Sequence, residues 1–219
     1  MTDSEPRLPP LPIDQWDEQA RAMLRGRLAM ADRYLSGEPD APPLPNVLGL
    51  LGHHPELAAA WLTYNSLLLE RATLDPRCRE LVILRVAWRS GSRYEWEQHV
   101  RIGLRTGLSP AQIAAVRQDP GGELWTPLER LLLTAADQLM DRHRIDGDTW
   151  TELGAHLDTR QLMELMFVTG SYLCLAMVFN SADLQPDPGA ESLPAALEFA
   201  PRDARVAAPP ALRGSSAGG

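Results

Sequence analysis

Three ionisable residues have the types and spacing to move a proton. Glu80 stands in the largely apolar run 78-CRELVILRVAW-88, and Glu95 and His99 stand in 90-SGSRYEWEQHV-100. An imidazole set among carboxylates is a general base or proton shuttle, a role worth typically ~10²–10⁴-fold in rate. Glu95 lies one helical turn before His99, so the two share a helix face. A neighbouring carboxylate also fixes the orientation and tautomer of an imidazole. Each residue has an ordinary reading as well. Ser92-Arg93-Tyr94-Glu95 is an S-x-x-E capping box, Glu80 fits the polar side of an amphipathic helix near Arg77 and Arg85, and a lone helical histidine is more often a packing residue. The catalytic reading gathers Glu80, Glu95 and His99 into one site. Tyr94 and Trp96 are candidate walls for it, Arg85 and secondarily Arg101 are candidate forks for a substrate carboxylate, and His53 is a candidate for the pocket mouth.

Cap and proline signals mark the elements that must position this set. Asp75-Pro76 supplies an N-cap and a first helical residue, and the helix it opens runs to about Trp88 and ends at Gly91. The next starts at Ser92 and ends near Gly107. Glu80 and His99 therefore meet only if these two helices pack as a pair. Pro55 opens 55-PELAAAWLTYNSLLLERA-72 and Ser109-Pro110 opens a short helix. Thr126-Pro127 opens one to about Arg142, Asp148 or a neighbour caps one to His156, and Asp158 caps a long one to about Asn180. Upstream, helical spacing of apolar residues from Ile13 to about Leu35 predicts one helix with Asp14 as N-cap. The segment 38-EPDAPPLPN-46 is a proline linker. No segment shows a convincing strand, so the expectation is all-α with about eight helices. Residues 1–45 form an N-terminal extension, 46–184 the helical domain, and 185–219 a mobile or surface-draped tail in which Leu193–Phe199 suits a short docked turn.

The 219-residue chain has a formal net charge of −8, and all 21 of its basic residues are arginine. Without lysine there is no Schiff-base chemistry. Without a basic block there is no footprint for nucleic acid, and an acidic surface disfavours anionic membranes. The run 162-LMELMFVTGSYLCLAMVF-179 is interrupted by Glu164, Thr169, Gly170 and Ser171, so it reads as a core helix rather than a membrane span. The first residues lack a secretory pattern, and the expected location is the cytoplasm. Cys78 and Cys174 form no CxxC pair. No G-x-G-x-x-G, P-loop or G-x-S-x-G is present. His53, His54, Glu80, Glu95 and His99 lack recognised metal-ligand spacing, so neither metal nor cofactor is expected.

The run 79-RELVILRVAWRSGSRYEWEQHVRIGLRTGLS-109 resembles the carboxymuconolactone decarboxylase family, which includes the AhpD-like alkylhydroperoxidases. The flanks 53-HHPELAAAW-61 and 176-AMVFNSADLQPD-187 extend the resemblance. It implies an AhpD-like helical fold and a homo-oligomer, a trimer or hexamer. In the AhpD-like branch a CxxC pair precedes the histidine and an upstream glutamate completes a proton relay. The glutamate falls on Glu80, the histidine on His99, and the cysteine positions on Ser92 and Glu95. Serine and glutamate lack the thiolate that attacks a peroxide. The decarboxylase branch, which works without cofactor, is the better match.

The expected function is a cofactor-independent lyase or isomerase. It would do acid–base chemistry (decarboxylation, dehydration or cyclisation) on a small carbonyl-containing organic acid or lactone. Two alternatives stand beside it: peroxide reduction through Cys78 or Cys174, and a non-catalytic helical oligomer that binds a ligand.

Overall fold

The computed structural model describes residues 5–38 and 40–200; the remainder of the expected tail, 201–219, lies outside the described residues. The described residues form ten α-helices, two short 3₁₀ turns and no strand. They are α1 (Glu18–Ala22), α2 (Ala31–Leu35), α3 (Asn46–Leu51), α4 (Pro55–Leu69), α5 (Pro76–Ser90), α6 (Arg93–Arg105), α7 (Pro110–Ala115), α8 (Pro127–Arg142), α9 (Gly147–Gly154) and α10 (Thr159–Ala182).

The central element is α5. Asp75 caps it by accepting from the Arg77 and Cys78 amides, and Gly91 ends it in the left-handed region at φ 70°, where glycine carries no steric penalty. Every residue from Arg79 to Trp88 is buried, because α6, α8 and α10 pack around it. Each large apolar side chain buried this way contributes about 1.5–3 kcal/mol. Gly103 of α6 permits close approach: a Cβ there would meet Leu84 Cδ1 at 3.2 Å and Leu108 Cδ1 at 3.1 Å. That contact seats α6 on α5 one turn beyond His99.

The α8 and α10 starts follow their local chemistry. Thr126 with Glu129, and Asp158 with Gln161, make complete capping boxes. Helix α10 is long and apolar enough to span a membrane by composition, and half of its most apolar stretch is buried. It packs against α4, α5, α6, α8 and α9.

Ten helices replace the expected eight for two reasons. The predicted Ile13–Leu35 helix is broken, with Gly26 left-handed at φ 73° and Asp17, not Asp14, capping α1 through the Ala20 amide. The segment after the proline linker is also helical, as α3. Downstream, Leu193–Phe199 does make a docked turn. Trp96 Nε1–H donates to the Leu197 carbonyl at 2.8 Å, and Phe199 sits edge-on to Trp88 at 5.6 Å.

Candidate active site

Helix α6 presents two faces with different tasks. Trp96 and Val100 belong to the apolar cluster shared with α5 and α7. Tyr94, Glu95, Gln98, His99 and Ile102 instead line a cavity of about 270 Å³. These positions repeat at the helical period. Helix α4 contributes Trp61, Asn65 and Leu69 to the walls, and α10 contributes Tyr172, Leu175 and Phe179.

His99 is 7% exposed, and its Nδ1 lies 2.6 Å from Oε2 of Glu80, which is 1% exposed. In the neutral ring, a carboxylate partner places the proton on Nδ1 and leaves the lone pair on Nε2. Nε2 makes no hydrogen bond among the described residues. Glu80 does not line the cavity; it touches it only through His99. The other Glu80 oxygen, Oε1, lies 3.5 Å from Nε of the buried Arg79, so the carboxylate sits between a cation and an imidazole. Tyr172 packs edge-on against His99, with ring centres 4.9 Å apart and planes at 90°. Burial, and then the negative charges of Glu80 and Glu95, hold the Tyr172 hydroxyl well above the ordinary tyrosine pKa.

Glu95 does not make the capping box expected for it. Ser92 caps nothing with its side chain, and both Glu95 carboxyl oxygens and Ser92 Oγ are buried without a hydrogen-bond partner. Burial pushes the Glu95 carboxyl up to about 8, with the nearby Ser92 hydroxyl moderating the rise. A lone buried carboxyl avoids charge because desolvation outweighs any gain. At neutral pH it is mainly a neutral acid, able to donate as well as accept.

The structure thus brings Glu80, Glu95, His99 and Tyr94 together. It sets the other four predicted residues elsewhere. Trp96 is fully buried on the opposite face of α6, since two residues along a helix turn the side chain by about 200°. Arg85 forks onto Asp137 with both contacts at 2.7 Å and onto the Val116 and Gln118 carbonyls, a structural tie across α5 and α8. His53 is exposed and bonded through Nε2 to the Pro9 carbonyl at 2.9 Å. Arg101 binds the Glu97 and Glu191 carbonyls. The expected carboxylate clamp is therefore not at this cavity. Among the described residues no cluster of His, Cys, Asp and Glu has metal-holding geometry.

Sequence reasoning missed Asp187. Its Oδ1 accepts from the Asn46 amide at 2.7 Å and from the Tyr94 hydroxyl at 2.9 Å, and its Oδ2 accepts from Gln98 Nε2 at 2.7 Å. It closes one side of the cavity. Burial first, and then the Asp187 charge, keep Tyr94 protonated far above its usual range. The only sequence signal was its place in the 176–187 flank of the family resemblance.

Residues 55–138 match the carboxymuconolactone decarboxylase family. No match is found among curated protein sequences. The fold is shared with an uncharacterized peroxidase-related protein with an alkylhydroperoxidase AhpD core from Ralstonia eutropha JMP134, at TM-score 0.69 and 17% identity over 85% of this chain and 95% of that one. A peroxidase-related protein from Silicibacter sp. TM1040 matches at 0.68 and 18% identity, over 86% and 95%. The debrominase Bmp8, solved as a cysteine-to-alanine variant with 2,3,4-tribromopyrrole, matches at 0.61 and 17% identity, over 83% and 91%.

Proposed function

We propose that this chain, whose residues 55–138 match the carboxymuconolactone decarboxylase family, is a cofactor-independent enzyme moving a proton on a small carbonyl compound or lactone. One observation carries the reading: a buried glutamate orients an imidazole whose other nitrogen has no partner among the described residues and whose ring lines a cavity. His99 Nε2 takes a proton from carbon next to the carbonyl. Glu80 stabilises the resulting imidazolium, and the neutral Glu95 carboxyl donates its proton to the developing enolate oxygen. Reprotonation elsewhere gives isomerisation, and loss of a β-hydroxyl as water gives dehydration. In decarboxylation carbon dioxide leaves the carbon in place of the proton, its bonding pair forms the enolate, and a protonated His99 then delivers a proton to that carbon.

The test is deuterium uptake from D₂O into a panel of carbon acids (γ-butyrolactone, cyclohexanone and 2-coumaranone) followed by proton NMR. The wild-type protein accelerates exchange on at least one, and His99→Ala loses that acceleration. No acceleration by the wild type, or full retention by His99→Ala, rejects the reading.

A thiol-based peroxide reduction is the second reading, favoured by the exposure of Cys174 on α10. Burial, reinforced by Asp75 and Glu129, pushes the Cys78 thiol up to about 11, which disfavours its thiolate. Peroxide consumption unchanged in a Cys78→Ser/Cys174→Ser variant removes this reading.

A further inference from the structure

We infer that this cavity takes a neutral or cationic ligand bearing an N–H or O–H donor, and excludes carboxylates. The inference rests on reading the cavity as the substrate site and names the substrate class for it. Three observations carry it.

The first is the charge of the walls. Asp187 lines the cavity and Glu80 stands behind His99, whereas the neutral Glu95 adds no charge and no arginine lines the cavity among the described residues. Arg79 faces the far oxygen of Glu80. A substrate carboxylate would leave water for a space with the Asp187 carboxylate on one side, Glu80 behind His99 and no arginine in its lining, a costly transfer.

The second is the pattern of unmet hydrogen bonds. Both oxygens of Glu95, 2% exposed, and the buried Oδ1 of Asn65 have no partner, and both residues line the cavity. The Asn65 oxygen and the carbonyl oxygen of the neutral Glu95 are acceptors in want of donors. The Glu95 proton adds one donor, which a carbonyl oxygen on the ligand would satisfy.

The third is shape and surface. Trp61, Leu69, Tyr172, Leu175 and Phe179 form an apolar enclosure in a volume of about 270 Å³. That suits one substituted ring with a polar end. The ligand class is therefore a small cyclic carbonyl or heteroaromatic compound with an N–H or O–H group. Among the proton-transfer reactions, decarboxylation fits least, because it needs a carboxylate in the ground state.

Benzoate, benzamide and benzamidine test this directly, being nearly the same shape with charges of −1, 0 and +1. Their affinities are measured by calorimetry at neutral pH on the wild-type full chain. The shift of the Trp61 indole N–H signal, assigned with a Trp61→Phe variant, localises binding to the cavity. The inference predicts that benzamide and benzamidine each move that signal and bind at least about tenfold more tightly than benzoate. Equal or tighter binding of benzoate, or no Trp61 response to benzamide and benzamidine, overturns it. The same ranking is measured in His99→Ala. A retained ranking with lost proton exchange supports both claims, whereas a retained ranking with undiminished exchange sinks the catalytic reading alone.

Discussion

Of the pair Glu80 and His99, joined by a 2.6 Å contact between Oε2 and Nδ1, only the histidine reaches the cavity. Glu80 is accordingly a positioning residue, and its effects pass through the imidazole. Glu80→Gln keeps the size of the side chain but removes its charge. Proton exchange falls at least about 10²-fold, with the larger part in kcat, because the amide no longer stabilises the imidazolium. Exchange kinetics on the responsive carbon acid check this.

The same substitution leaves Arg79, itself buried, beside an uncharged partner. Loss of one member of a buried pair costs on the order of 3 kcal/mol. Urea unfolding of Glu80→Gln is expected to show that loss, and Glu80→Gln/Arg79→Met to recover part of it.

Glu95 makes stability depend on pH with a definite sign. Its carboxyl is raised from 4.5 to about 8 in the folded protein, so between those values the native state holds a proton that the unfolded chain has released. The contribution is complete below the lower value and is lost as pH rises through the upper one, at about 1.4 kcal/mol per unit between them. Wild-type stability minus that of Glu95→Gln, by urea unfolding from pH 5 to 9, declines over this window and then levels. A flat difference contradicts the burial argument.

Asp187 fastens the segment after α10 to α3 and α6 through Asn46, Tyr94 and Gln98. Asp187→Ala removes three acceptor contacts and leaves their donors partly buried, a loss of about 1–3 kcal/mol. Hydrogen exchange is expected to rise at the Asn46 and Val47 amides first, since Val47 N–H donates to the Tyr94 hydroxyl that Asp187 holds.

The seam between α4 and α10 exposes Phe167 and Met163 (each 47%), with Met177 at 59% further along α10. It also forms an apolar groove of about 450 Å³ lined by Trp61, Tyr64 and Phe167. A contiguous patch of this kind fits a second copy of the chain, in line with the homo-oligomer that the family resemblance implies. Light scattering is expected to give an oligomer for the wild type and a monomer for Met163→Glu/Phe167→Glu.

How much of this was legible depended on the range of the interactions. The α5, α8 and α10 starts were readable because Asp75-Pro76, Thr126-Pro127 and Asp158 act within one turn. The Glu80–His99 approach needed only the pairing of two consecutive helices joined at Gly91. The broken helix at 13–35 was not readable from apolar spacing, because Gly26 and the Asp17 cap override it. Ser92–Glu95 matched a local capping pattern, but burial of the carboxyl beside the cavity prevailed. Arg85 and Asp187 depended on partners far away in sequence, Asp137 in one case and Asn46, Tyr94 and Gln98 in the other. Neither leaves a periodic trace.

The most direct measurement of the central claim is a long-range proton–nitrogen NMR spectrum of His99, assigned with His99→Gln. The account predicts that the neutral ring of the wild type carries its proton on Nδ1 and its lone pair on Nε2, with that preference lost in Glu80→Gln. A proton fixed on Nε2, or a spectrum indifferent to Glu80→Gln, would contradict it.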